Sequence, residues 1–153
     1  MPDPKTYFAS IRDVKFGKNI TVVEPSNLYE CNVGDNSFIG PFVEIQKGVV
    51  IGSNTRIQSH TFICELVCIG AYCFIGHGVM FINDLFQEGR PSGSADKWKK
   101  TLIGNNVSIG SNATILPVNI ADNTVIGAGA VVTKDINSPG VYAGNPAKLL
   151  RTL

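Results

Sequence analysis

Two histidines, His60 and His77, are the only side chains of this sequence that ordinarily titrate near neutrality. Asn83 and Asp84 form an adjacent polar pair directly after the apolar run VMFI. A histidine can take or give a proton at neutral pH, an aspartate can accept one, and an asparagine can orient a reacting group by hydrogen bonds. Each has a plain alternative: Asn and Asp often start loops by bonding their own backbone, and a corner histidine can simply be solvated. Four cysteines, Cys31, Cys64, Cys68 and Cys73, form no CxxC pair and no metal-finger spacing. They are expected to be reduced, with Cys31 and Cys73 as small side chains facing inward.

The elements that must position these groups follow from a period of six. Val33, Ile39, Ile45, Ile51, Ile57, Ile63, Ile69, Ile75 and Phe81 each lie six places after the last. The spacing resumes at Ile103, Ile109 and Ile115, slips by one residue, and continues at Ile120, Ile126 and Val132. Six is neither the 3.6 of a helix nor the 2 of a strand. Hexapeptide repeats specify a parallel β-helix, so three hexads should make one triangular coil of about 18 residues. Glycine follows the aliphatic residue at Gly34, Gly40, Gly52, Gly70, Gly76, Gly104, Gly110 and Gly127, with Asn36, Asn54, Asn106 and Asn112 two places on. Both residue types tolerate positive φ and suit a tight corner. Positions 45, 63 and 81 should stack on one face, 39, 57 and 75 on a second, and 33, 51 and 69 on the third, about 4.8 Å apart.

The expected organisation is a single domain, 1–153. Residues 1 to about 28 read as irregular, with Phe16-Gly17 and Val22 hinting at a looser first coil. After Phe81 the period fails, and about 16 extra residues leave the coil as a long polar loop, about 83–101, from the face holding Ile45 and Ile63. Long loops within compact repeats usually carry function. Asn145 as N-cap and Pro146 at the first helical position predict a short helix over about 146–152. Net charge is +1, so no basic patch for nucleic acid is evident. No apolar run approaches the ~20 residues of a spanning helix. The opening MPDPKTYFAS lacks the basic and apolar regions of a signal peptide, and a cytoplasmic location is expected.

Repeat and interruption together resemble the left-handed β-helix acyltransferases, the hexapeptide-repeat family. The likeness lies in NLYECNVGDNSFIGPFVEIQKGVVIG (27–52), IQSHTFICE (57–65), GHGVMFIND (76–84), VIGAGAVVTKD and VYAGNPAKLLR. FIND before the long loop most resembles the sugar-nucleotide 3-amino N-acetyltransferases, enzymes of the dTDP-3-amino-3,6-dideoxyhexose type. That resemblance implies the left hand of the coil and a homotrimer with active sites between subunits. It also implies a cytoplasmic acetyl-CoA-dependent N-acetyltransferase, without metal, that serves glycan or O-antigen precursor synthesis.

Residue by residue, the resemblance makes Asn83 and Asp84 the catalytic pair, orienting the amine and accepting its proton or fixing the sugar. Glu44, Gln46, Gln58, His60 and His77 become candidates for the nucleotide-linked sugar; Gln46 and Gln58 stand where glycine is usual. Gly110, Gly127, Ala128 and Gly129 would admit the pantetheine, and Lys134, Lys148 and Arg151 would meet the phosphates of coenzyme A. Trp98 or Phe86 would stack on a base. The stretch ILPVNIAD departs from the family's ILPGVTIG by one residue, which should distort that coil. Two alternatives remain: an O-acetyltransferase using His60 or His77, and a non-catalytic scaffold. A zinc hydratase on the same coil would need three histidine ligands, and the chain has two.

Overall fold

The computed structural model describes residues 4–153. Short strands succeed one another around a triangular coil and build three sheets of seven, six and eight strands, parallel throughout except for the last strand of the chain. The fold is an all-β parallel solenoid of about seven turns, consistent with the left-handed coil of the resemblance. Face 1 stacks Leu28, Ile45, Ile63, Phe81, Ile115 and Val132; face 2 stacks Val33, Ile51, Ile69, Ile103 and Ile120; face 3 stacks Ile39, Ile57, Ile75, Ile109 and Ile126. These side chains are almost wholly buried. Each burial removes an aliphatic side chain from water, a gain of roughly 1.5–3 kcal/mol. Two places before each, a small residue such as Val43, Thr55, Thr61 or Val79 also points inward and fills the narrow core.

Glycine and asparagine divide the work at the corners. Positive φ is carried by Asn36 (57°), Asn54 (57°), Asn106 (54°) and Asn112 (59°), not by the glycines that follow the aliphatic residue. Gly34 is needed for a different reason: a Cβ there would lie 2.6 Å from the backbone nitrogen of Ser53 in the next coil. Backbone approach between coils, not local conformation, selects glycine at that position.

Every departure from the period falls at the corner between faces 1 and 2. Ile11 to Phe16, Leu28 to Val33 and Ile115 to Ile120 are each five residues, and Phe81 to Ile103 is 22. In several of the early coils the other two corners are pinned from inside. Ser26 Oγ donates to the Gly40 carbonyl at 3.1 Å, Ser37 Oγ to Gly52 at 3.1 Å, Thr55 Oγ1 to Gly70 at 3.0 Å and Thr61 Oγ1 to Gly76 at 2.9 Å. At the variable corner the corresponding bond, Thr101 Oγ1 to Leu116, stretches to 3.4 Å.

Three sequence expectations are corrected. Residues 11–22 form a complete coil in register, with Ile11 on Leu28, Phe16 on Val33 and Val22 on Ile39. The irregularity read there was the five-residue corner. The slip after Ile115 leaves the ladder intact, since Ile103 still faces Ile120 and Val118 turns inward to close the shorter corner. The helix expected over 146–152 is absent: Gly140–Ala143 joins face 3 and Lys148–Arg151 returns antiparallel to it. Seven residues make only a marginal helix, and the open sheet edge offers their backbone groups partners instead.

Candidate functional site

Asn83 sits where the loop departs. Ile82 still donates to the Ile115 carbonyl, at 2.9 Å, so the ladder holds the chain up to the residue before it. Asn83 Nδ2 donates to the Glu65 carbonyl of the coil below at 3.3 Å, and its own carbonyl accepts from Lys99 N at 2.9 Å. One residue thus closes both ends of the loop and leaves its side-chain oxygen free to accept.

Asp84 folds the loop upon itself. One carboxylate oxygen accepts from Phe86 N at 2.9 Å, and the other from Ser92 N at 2.7 Å and Ser92 Oγ at 2.8 Å. The Phe86 amide, the two Ser92 donors and the Lys97 charge hold its pKa below the ordinary 3.8. Such a carboxylate is a weak proton acceptor. Beyond it, Ala95–Lys97 form one 3₁₀ turn, and Lys97 Nζ meets Glu88 at 2.7 Å. A small cavity of about 70 Å³, lined in part by Asp84, Arg90, Ser92 and Lys97, is the interior of this loop. Phe86 is exposed and Trp98 half-buried.

The histidines lie at the corner between faces 3 and 1. His77 Nδ1 is 2.9 Å from Ser59 Oγ, and the His60 ring centroid is 4.9 Å from that of Phe42. His77 therefore sits over Ser59, offset by one residue from the alignment expected with His60. The bond to Ser59 orients the His77 ring and leaves Nε2 for a ligand. Gln58 shares this corner, as do Gly110, Gly127, Ala128 and Gly129 in the coils above. A Cβ on Gly110 would lie 2.8 Å from Ala128 Cα, so the coils approach closely there. Glu44 lies on face 1, and Gln46 at that face's far border donates to it at 2.9 Å.

The chain thus gathers the expected residues into two groups along opposite borders of face 1. Asn83, Asp84 and the loop occupy the border with face 2; His60, His77 and the glycine corners occupy the border with face 3. The expected cations also separate. Lys134 lies at the first border, whereas Lys148 and Arg151 are on the terminal hairpin of face 3. Sequence reading missed Ser59, Ser92 and Phe42. Ser59 lies one 18-residue coil before His77, and Phe42 holds φ 60° where corners usually place Asn or Gly. Both signals were readable from the register; Ser92 left none.

Burial pushes the Cys31 thiol up to about 11 and Cys64 to about 12, and raises Cys73 as well; Cys68 is exposed. None of the three buried thiols is a nucleophile at neutral pH. Among the described residues, no three His, Cys, Asp or Glu side chains gather as metal ligands would, and no helix is long and apolar enough to cross a membrane.

A parallel β-solenoid with one long loop at a single variable corner is the class that fold and site define. Residues 30–65 match the bacterial transferase hexapeptide (six repeats), and residues 100–134 match the hexapeptide repeat of succinyl-transferase. Both matches are to hexapeptide-repeat segments of transferases, and together with the solenoid they make this chain similar to the hexapeptide-repeat transferases. It is 38% identical over 108 residues to the bifunctional protein GlmU of Clostridium botulinum (strain ATCC 19397 / Type A), covering 70% of this chain and 21% of that protein. The chain thus spans about a fifth of the length of that curated relative. Among solved structures, a mutant of AntD, an N-acyltransferase from Bacillus cereus in complex with dTDP and coenzyme A, superposes with a TM-score of 0.80 at 20% identity, covering 93% of this chain and 85% of the other. A hexapeptide-repeat-containing acetyltransferase from Vibrio cholerae O1 biovar eltor, complexed with acetyl coenzyme A, gives 0.68 at 27% identity over 79% and 70%.

Proposed function

We propose that this chain is an acetyl-CoA-dependent N-acetyltransferase acting on the amino group of a nucleotide-linked amino sugar, with dTDP-3-amino-3,6-dideoxyhexoses as the expected acceptors. The observation that carries the reading is Asn83, which ties both ends of the loop to the coil and keeps its side-chain oxygen free. That oxygen accepts an N–H of the sugar amine and turns the nitrogen lone pair toward the thioester. Support comes from the Vibrio cholerae acetyltransferase, which binds acetyl-CoA, and from AntD, which holds dTDP and coenzyme A on a similar solenoid.

The thioester is already activated, and an amine flanked by oxygen-bearing carbons titrates near the α-amino value of about 8. Much of the rate can then come from positioning, for which effective molarity is worth about 7–11 kcal/mol. The amine attacks the thioester carbon, the C–S bond breaks, coenzyme A leaves as thiol, and the nitrogen loses a proton. Asp84, with its lowered pKa, serves chiefly to hold the loop, and His77 Nε2 takes the proton. Backbone N–H groups at the Gly110 and Gly127–Gly129 corners stabilise the oxyanion, and Lys148 and Arg151 face the phosphates of the cofactor. The two groups on opposite borders of face 1 meet when one subunit's loop lies against a neighbour's histidine corner, as in a cyclic trimer. The expected setting is the cytoplasm, in the supply of precursors for surface glycans.

One observation favours a second reading. A histidine oriented by Ser59 is what an O-acetyltransferase needs, because a hydroxyl must lose its proton to attack. Purified protein incubated with acetyl-CoA and a panel of nucleotide-linked amino sugars, with thiol release followed by dye, decides between them. Release with an amino sugar but not its hydroxyl counterpart supports N-acetylation. The reverse preference, abolished in both His60→Ala and His77→Ala but retained in Asn83→Ala, establishes the second reading.

A further inference from the structure

Phe42 stands at a corner position that the coil requires in the left-handed region. Asn112 in an upper coil and Gly78 in the coil above His60 fill the equivalent place without difficulty, yet Phe42 holds φ 60° and His60 φ 63°. A bulky ring in this region is costly. The Phe42 ring is nevertheless 56% exposed, so burial in the core does not repay that cost. Strain kept at an exposed side chain points to use of the side chain.

Around this ring lies an open cleft of about 300 Å³, lined by Pro25, Asn27, Phe42 and Glu44 among others. His60 packs on the ring from the coil above, at 4.9 Å between centroids, and steadies it. The polar groups of the cleft are half-satisfied. Asn27 Oδ1 accepts from Arg12 Nη1 at 2.8 Å, which turns the Asn27 NH₂ outward as a donor. Glu44 Oε1 accepts from Gln46 at 2.9 Å, leaving Oε2 as an acceptor. An aromatic platform with one free donor and one free acceptor beside it matches a planar heterocycle, which offers a π face and an edge bearing both a donor and an acceptor.

We infer that Phe42, with Asn27 and Glu44, forms a subsite for the base of the acceptor's nucleotide. Phe42 lies two coils below His77, about 10 Å along the axis at the usual strand spacing. A base on Phe42 therefore extends its diphosphate and sugar up the same corner, toward the coil that holds His77 and Asn83. The adenine of coenzyme A presents similar chemistry, but the glycine corners and the Lys148–Arg151 hairpin lie at the opposite end of the solenoid. This subsite rests on the acceptor being nucleotide-linked, and it replaces Trp98 and Phe86 as the base-stacking residue.

Calorimetric titration of the full chain with dTDP, inorganic pyrophosphate and coenzyme A tests it, using Phe42→Asn. Asparagine accepts this backbone conformation, so the variant should melt no lower than the wild type. The expected result is dTDP binding weakened about 5- to 150-fold, the range for one base stacked on an aromatic ring. Pyrophosphate and coenzyme A should bind as before, and Phe42→Tyr should restore dTDP affinity. Unchanged dTDP binding in Phe42→Asn, or loss of coenzyme A instead, overturns the subsite and leaves the acceptor reading standing. If the wild type binds coenzyme A but no nucleoside diphosphate, both fall together.

Discussion

Replacing Asn83 by alanine separates catalysis from scaffolding. Its side chain makes one long bond, 3.3 Å to the Glu65 carbonyl, from a half-buried position. A neutral hydrogen bond contributes about 0.5–1.5 kcal/mol net, and this one belongs at the low end. A domain of about 150 residues loses roughly 2–4 °C in Tm per kcal/mol, so Asn83→Ala should melt no more than about 3 °C below the wild type. The backbone bond from Lys99 N survives the substitution, so the loop keeps its base. If the free oxygen aligns the amine, kcat/KM for the amino sugar should fall far more than stability does. Loss of orientation at a reacting centre costs up to about 10²-fold, and a fall of about 10- to 100-fold is expected, with coenzyme A affinity unchanged. The pair of measurements is steady-state thiol release and calorimetric melting. Activity within twofold of wild type would refute the assigned role; so would a large Tm drop matching the lost activity, which would make Asn83 merely structural.

Thr55 tests how the corners are pinned: its hydroxyl donates to the Gly70 carbonyl and accepts from Cys73 N at 3.1 Å. Thr55→Val keeps the shape but leaves buried polar groups unpaired, and should cost about 1–3 kcal/mol in denaturant unfolding; a neutral result would remove this account of why two corners never vary. Asp84 has a folded pKa below 3.8, so its bonds to Phe86 and Ser92 stabilise the loop above that pH and are lost as pH falls through the lowered value. Hydrogen exchange at Phe86 N and Ser92 N should therefore accelerate only at acidic pH in the wild type, beyond the chemical rate, and be fast throughout in Asp84→Ala. In native protein at pH 8, a thiol reagent should label Cys68 rapidly and alone, because burial raises the other three thiols; rapid labelling of Cys31 or Cys64 would show that the coils open.

The fold was legible because the core has one large inward residue per hexad, and nothing but that residue need be read. Ile57 declares its face in the sequence as clearly as it does against Ile39 and Ile75 in space. The departure after Phe81 was equally plain, since 22 residues stand where six should. At the two ends the sequence misled. Ile11 and Phe16 were hidden by a five-residue corner, and AKLLR carries helix-forming residues that the edge of face 3 claims as a strand. The site was legible as a set of residues but not as an arrangement. Nothing in the spacing of Asp84 and Ser92 foretells their bond, because a loop outside the repeat has no register to count by.

Sequence alone determined the coil, the stacking partners within each face and the point where the loop leaves, because all three depend on a local period. Tertiary structure alone decided that every change of length falls at one corner, and that hydroxyls such as Thr55 bond carbonyls in the next coil at the other two. It also decided that glycine serves close approach while asparagine serves positive φ, and that Asp84 spends both oxygens on its own loop. The borders of face 1 are made the same way: His77 meets Ser59 eighteen residues away, and Asn83 meets Glu65 across the same interval. Contacts between coils follow from stacking, and stacking exists only once the chain has wound.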